Sequence, residues 1–149
     1  MSPTVPVRPP GLTPVRAAVL AVVRRDDRVL LVRRANPPDR GLWGFPGGHI
    51  EPYEPLLDAA VRELREETGL VSTATGVITA IDVIRPPEND APGRHYVLVA
   101  VSCLAPEGDP VADTDALEVG WFAIDALDDS SPAFSRGTAA LARQAPRTD

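Results

Sequence analysis

Glu63, Glu66 and Glu67 fall within five consecutive positions of the segment VRELREETGL, just ahead of Gly69. On an α-helix with Glu63 set at zero, Glu66 falls at about −60° and Glu67 at about +40°, so the three carboxylates share one arc of roughly 100°. Leu57, Ala60, Val61 and Leu64 fall between about 60° and 160°, the arc expected to face a core. The acidic face thus borders the apolar one and is expected to point into the adjoining cleft. Acidic runs are ordinarily solvated surface, and Asp58 with Arg62, and Arg62 with Glu66, are ordinary i,i+4 pairs. That account leaves the placement unexplained: near a helix C-terminus the macrodipole disfavours negative charge, and mutual repulsion adds to the cost. A bound divalent cation removes both penalties. Mg²⁺ is the natural choice for carboxylate, carbonyl and water oxygens beside phosphates, with Mn²⁺ as a substitute. Two histidines and one cysteine give little support to zinc.

The elements that must position this helix can be read on either side of it. VRAAVLAVVRR and RVLLVRR are β-rich runs separated by Asp26 and Asp27, the pattern of a hairpin. ANPPDRG is a loop, LWGF a short strand ended by Pro46, Gly47 and Gly48. Pro55 suits the first helical position and Gly69 the C-terminal cap, with about four turns between them. VSTATGVITAIDVI reads as a strand with a bulge or bend at Gly76, and RHYVLVAVSCLA as the strongest strand of the chain. An acidic loop, EGDPVADTDALE, precedes the short strand VGWFAI and a helical turn at Asp125–Leu127; SRGTAALARQA is a terminal helix. Strands on both sides of a central helix predict one α/β domain over residues 14–145 with a mixed sheet. Residues 1–13 are expected to be a Pro-rich, disordered or extended tail.

Composition narrows the function. The chain has 149 residues, 44% hydrophobic and 24% charged, with a net charge of −6. A basic nucleic-acid-binding face is not expected from that balance. All 15 basic residues are arginine, which excludes a Schiff-base or P-loop lysine. Cys103, the only cysteine, lies in an apolar run and is expected to be a buried structural thiol. No apolar stretch reaches the ~18 residues of a membrane span, and the N-terminus lacks the apolar core of a secretory signal. The cytoplasm is the expected compartment.

The stretch from Gly48 to Leu70 resembles the signature of the Nudix hydrolases, with Gly48, Glu54, Arg62, Glu63, Leu64, Glu66, Glu67, Gly69 and Leu70 filling every defined position. LWGFPGG before it, the arginine-ended strand and the Trp after the acidic loop extend the resemblance over about residues 15–125. Tyr53 departs from it, because relatives often carry Gly there. The resemblance implies an α/β/α sandwich around a mixed β-sheet and cleavage of a diphosphate linked to another moiety. It implies that Glu66 and Glu67 are the principal metal ligands beside the Gly47 carbonyl, and that Glu63 is a further ligand or the base that activates water. Arg62 would hold the glutamates by salt bridges, and Glu54 would support the site from the helix start.

Outside the signature, Asp113, Asp115 and Glu118 are acidic candidates for a catalytic base. Asp115, six residues before Trp121, resembles the position of an extra acidic ligand in relatives and is favoured. Arg33 and Arg34 alternate across a strand, so one of them is expected to reach the substrate; relatives suggest Arg34. Trp43, Phe45 and Tyr96 are candidates to stack on a base, at least one of them being core, and Gly48 is a further candidate contact. His49 and His95 are expected to make structural hydrogen bonds. Pro86, 16 residues after the signature, resembles the ADP-ribose pyrophosphatase branch. Three activities stay open: a pyrophosphatase for ADP-ribose or a nucleotide sugar, a mutator-type (d)NTP pyrophosphohydrolase, and a non-catalytic nucleotide sensor. The expected partner is a nucleotide-type small molecule, not nucleic acid or membrane, and a homodimer is allowed.

Overall fold

Strand β1, Val15–Arg25, is the axis of the molecule. Its middle is apolar at every position from Ala17 to Val23, the mark of a strand covered on both faces. Val19, Ala21 and Val23 join one apolar cluster and Val22 the other. The computed structural model describes residues 13–37 and 39–147, so the expected Pro-rich tail lies outside the described residues except for Thr13.

β1 turns at Asp26, whose φ of 54 suits a tight turn, into β2, Arg28–Arg34. This is the expected hairpin, with Arg24 opposite Val29. β3 is only Trp43–Gly44 and pairs with β2. The glycines expected to end that strand instead form β4, Gly47–His49, which runs antiparallel to Ala18–Leu20 of β1. Helix α1, Leu56–Thr68, follows. Pro55 is its extended cap rather than its first turn, with ψ 143, and Gly69 closes it at φ 74 by donating its N–H to Arg65 O.

β5, Ala74–Arg85, and β6, Arg94–Cys103, form a long antiparallel pair, bulged around Gly76 as expected. β6 lies parallel to β1 over nine residue pairs, from Val15–His95 to Val23–Cys103, which makes the sheet mixed. β7, Ala116–Ala123, pairs with β2 and ends in a 3₁₀ turn at Ile124–Ala126. Helix α2 is Thr138–Arg143. Gly137 has no side chain to cap it, and the Asp129 carboxylate does so from the preceding loop, accepting from Ala139 N (2.8 Å) and Ala140 N (3.0 Å).

The period of two sorts the core into layers. Leu30, Val101 and Cys103 pack under α1 with Ala59, Ala60 and Leu64. Val29, Leu31 and Ala100 pack on the other face with Leu141 and Ala142 of α2. The result is the expected α/β/α sandwich. Cys103 is fully buried and burial pushes its thiol up to about 11, so it is a structural residue. No helix among the described residues is long and apolar enough to cross a membrane.

Candidate active site

α1 is turned further into the protein than its apolar residues alone predict. Its buried positions are Ala59, Ala60, Leu64, Glu67 and Thr68. On the same wheel these centre at about +60°, with Glu67 at about +40° well inside the arc. The buried arc therefore does not border the acidic one but includes Glu67, and Val61 is only half-buried. The two glycines of β4 make this possible. The Glu63 carboxylate lies against Gly48, where a Cβ would come within 2.5 Å of its Oε1. Gly47 donates its N–H to Glu67 Oε2 at 2.8 Å.

The three glutamates are thereby placed in different environments. Glu67 is 4% exposed. Burial pushes its carboxyl up to about 8, with Glu63 and Asp115 adding to the rise and the Gly47 N–H and Arg34 opposing it. Glu63 is also raised, first by burial, against the pull of Arg62. Glu66 stands on the solvent side. Arg62 is the hub: it grips both oxygens of Glu54 (2.7 and 2.9 Å), reaches Glu63 Oε1 (2.9 Å) and Glu66 Oε2 (3.2 Å), and donates to His49 O (3.0 Å). These contacts raise the Arg62 guanidinium and lower Glu54. The fork ties the start of the helix, its middle and strand β4 into one unit.

Among the described residues no three His, Cys, Asp or Glu side chains converge closely enough to hold a metal as they stand. Glu63 and Glu66 are turned onto Arg62. The donor set nevertheless fits a hard divalent cation: it consists of oxygens, and a buried carboxylate beside a second one is what an added positive charge would stabilise. Glu63 already interacts with Glu67, and Glu66 would have to leave Arg62 to join them.

The acidic loop is tied to the end of α1. Val111 N donates to Thr68 O (2.8 Å), Asp113 N to Glu67 O (3.0 Å) and Thr114 Oγ1 to Glu66 O (3.2 Å), so the loop caps the last carbonyls of the helix. Asp113 spends its carboxylate on Thr114 N (2.7 Å). Glu118 pairs with Arg33 at 3.6 Å, and Arg33 also donates to Gly41 O. Asp115 and Arg34 are the two outer groups whose charges act on Glu67. Sequence reasoning had no means of seeing Asn36, whose amide donates to Asp115 Oδ1 at 2.8 Å.

The aromatic candidates lie on the other face of the sheet. Trp43 meets Phe122 edge-on at 4.8 Å within the cluster under α2, and Phe45 is core. Tyr96 alternates away from Val99 and Val101 and sits 5.6 Å from the His49 ring. β4, which turns Gly48 toward Glu63 of α1 and His49 toward Tyr96, is where the two faces meet. His95 lies 3.7 Å from Asp82, and Pro86 begins the exposed turn between β5 and β6.

A NUDIX domain model matches residues 14–143. The chain belongs to the Nudix hydrolase family. It is 33% identical over 110 residues to an ADP-ribose pyrophosphatase of Methanocaldococcus jannaschii, covering 74% of this chain and 63% of that protein. It is 48% identical over 56 residues to the CTP pyrophosphohydrolase of Escherichia coli, covering 37% of this chain and 42% of that one. It thus spans less than two thirds of the length of either relative. A MutT NUDIX hydrolase structure from Burkholderia pseudomallei superposes with a TM-score of 0.73 at 29% identity, covering 88% of this chain and 98% of that one. Nudix hydrolases generally use divalent metal ions. Within the Nudix signature, Tyr53 has a physical consequence. Its φ is 65, the left-handed region that glycine occupies freely, and its side chain is fully exposed.

Proposed function

We propose that this protein hydrolyses the diphosphate linkage of a nucleoside diphosphate derivative, ADP-ribose or a nucleotide sugar, with Mg²⁺ as its metal and Mn²⁺ as a substitute. The observation that carries this reading is the burial of Glu67 against Gly47 with Glu63 beside it, held by the Arg62 fork. Structural acidic clusters do not need two carboxylates desolvated together. The archaeal relative named an ADP-ribose pyrophosphatase supports the substrate class.

On this reading Glu63, Glu66, Glu67 and the Gly47 carbonyl would hold the cation. When bound, it offsets the charge of the diphosphate and acidifies a nearby water. Arg62 keeps Glu54 and the β4 backbone in register, so that the carboxylates are presented from a fixed platform. Arg34, on the α1 side of β2, forks onto phosphate oxygens. Asp115 takes the proton of the attacking water as its oxygen bonds to phosphorus and the bridging P–O bond breaks; Glu63 is the alternative base. Gly48 leaves room for Glu63 and the phosphates, while Tyr96 and Trp43 are the candidate rings for the nucleoside on the opposite face. The partner is a small nucleotide rather than nucleic acid or membrane, the setting is the cytoplasm, and a homodimer is compatible with this site.

A panel of nucleotides with Mg²⁺, analysed for products, tests the reading. ADP-ribose is expected to give AMP and ribose 5-phosphate. The match to a CTP pyrophosphohydrolase puts nucleoside triphosphates in the same panel. Turnover of a triphosphate to monophosphate and pyrophosphate, with ADP-ribose untouched, would replace the proposed substrate by the mutator-type one. Binding of nucleotides without any turnover would leave a sensor.

A further inference from the structure

A carboxylate that takes a proton or a ligand from one place must be held in one orientation, and Asp115 has few means to achieve this. It is exposed, and no arginine salt bridge restrains it among the described residues. Two contacts compensate, both from the segment after β2. Ala35 N donates to the Asp115 carbonyl at 2.9 Å, and Asn36 Nδ2 donates to Asp115 Oδ1 at 2.8 Å. The pairing of β2 with β7 explains why they meet. Arg33 lies opposite Glu118 but Arg34 lies opposite Ala116, so Leu117 is an extra residue in β7. A bulge of this kind bends the strand and re-aims the residues beyond it. Beyond this bulge, Ala35 and Asn36 come alongside Asp115, next to the arginine whose charge acts on Glu67.

We infer that Asn36 is a positioning residue of the active site, holding the Asp115 carboxylate toward the Glu67 end of α1 through its Nδ2. This deepens the proposed function and rests on the role given there to Asp115. An amide suits the task. It orients a carboxylate by one hydrogen bond at Oδ1 and carries no charge, whereas an arginine would neutralise the group and weaken it as a base. Oδ2 is left for the reaction. The same contact could serve only to staple two surface loops together, and the two roles differ in what their loss does. A staple contributes to stability; a positioning contact contributes to the rate and acts only through Asp115.

The test uses the full chain with saturating Mg²⁺ and the best substrate of the panel. It compares kcat, KM and the thermal midpoint for Asn36→Ala, Asp115→Asn and the double variant. Asn36→Ala is expected to lower kcat by about tenfold, the lower end of what loss of a supporting partner costs an exposed site, with KM and midpoint unchanged. The double variant is expected to be no slower than Asp115→Asn, because Asn36 has nothing left to position. Asn36→Asp, of the same size but without a donor, should be at least as slow as Asn36→Ala. A slow Asp115→Asn with a wild-type rate for Asn36→Ala overturns the inference, as do losses that multiply in the double variant or a midpoint that falls in step with kcat. A wild-type rate for Asp115→Asn removes the role of Asp115 itself, and the inference with it.

Discussion

At the scale of single residues, Glu67 carries the largest conflict. A carboxylate 4% exposed, beside Glu63 and with only one backbone donor, is poorly accommodated in the metal-free protein. Glu67→Gln keeps its shape and its contact geometry near Gly47 while removing the charge. Turnover should fall by about a thousandfold or more, since charge stabilisation at the reacting centre is the largest single contribution in such sites. The metal-free variant should melt at or above the wild-type temperature at pH 8.5, above the value of about 8 to which burial pushes Glu67 in the parent. Thermal unfolding in EDTA and steady-state kinetics check the two halves. A variant that is slow because it is unfolded, or stable but fully active, contradicts this placement of Glu67.

At the scale of elements, the site is the junction of β4, α1 and the loop before β7. β4 contributes the missing side chain of Gly48, which leaves room for the Glu63 carboxylate, and the Gly47 N–H, which donates to the buried Glu67. The loop contributes donors to the last carbonyls of α1, and so is fastened rather than free to close over a substrate. The entry into α1 is the weak part of this assembly. Tyr53 holds a left-handed backbone with its ring in solvent, a conformation that costs a non-glycine residue about 1–2 kcal/mol. Tyr53→Gly should raise stability by about 1 kcal/mol or less, because the extra freedom of glycine in the unfolded chain offsets part of the gain. Chemical denaturation measures this directly. Turnover should be unchanged, as no ligand or clamp residue is altered; a stability loss would mean that the ring makes contacts worth more than the relief of strain.

At the scale of the whole molecule, metal binding and folding are linked through pH. The Glu67 carboxyl is raised from its ordinary 4.5 to about 8, so the folded metal-free protein holds this proton more tightly than the unfolded chain does. Its contribution to stability is therefore complete below about pH 4.5 and is lost as pH rises through about 8. A cation needs the ionised form and binds only the folded state, so it stabilises by mass action most strongly where the proton has left. The rise in melting temperature on adding Mg²⁺ should grow between pH 6 and 8.5, and EDTA should abolish it. An Mg²⁺ effect that is flat or shrinks over this range would show that the buried glutamate is not part of the metal site.

Much of the element pattern is local and was legible along the chain. The β1–β2 hairpin, the Gly69 cap, the bulge at Gly76 and the terminal helix follow from turn residues and periodicity, which act within a few positions. The spacing from Gly48 to Leu70 likewise carries the family and its acid-rich helix, because one helix face brings i, i+3 and i+4 together. Tertiary structure decided the rest. β4 was invisible because Gly47 and Gly48 have no side chains to show strand alternation, and only pairing with Ala18–Leu20 makes them a strand. The burial of Glu67 depends on the approach of that strand, so the apolar residues of α1 alone misplaced the buried arc by a good part of a quadrant. Asp115 and Asn36 are 79 positions apart, and a one-residue bulge in β7 brings them together. Such a contact has no local signature: it arises from register between distant strands, which sequence periodicity does not encode.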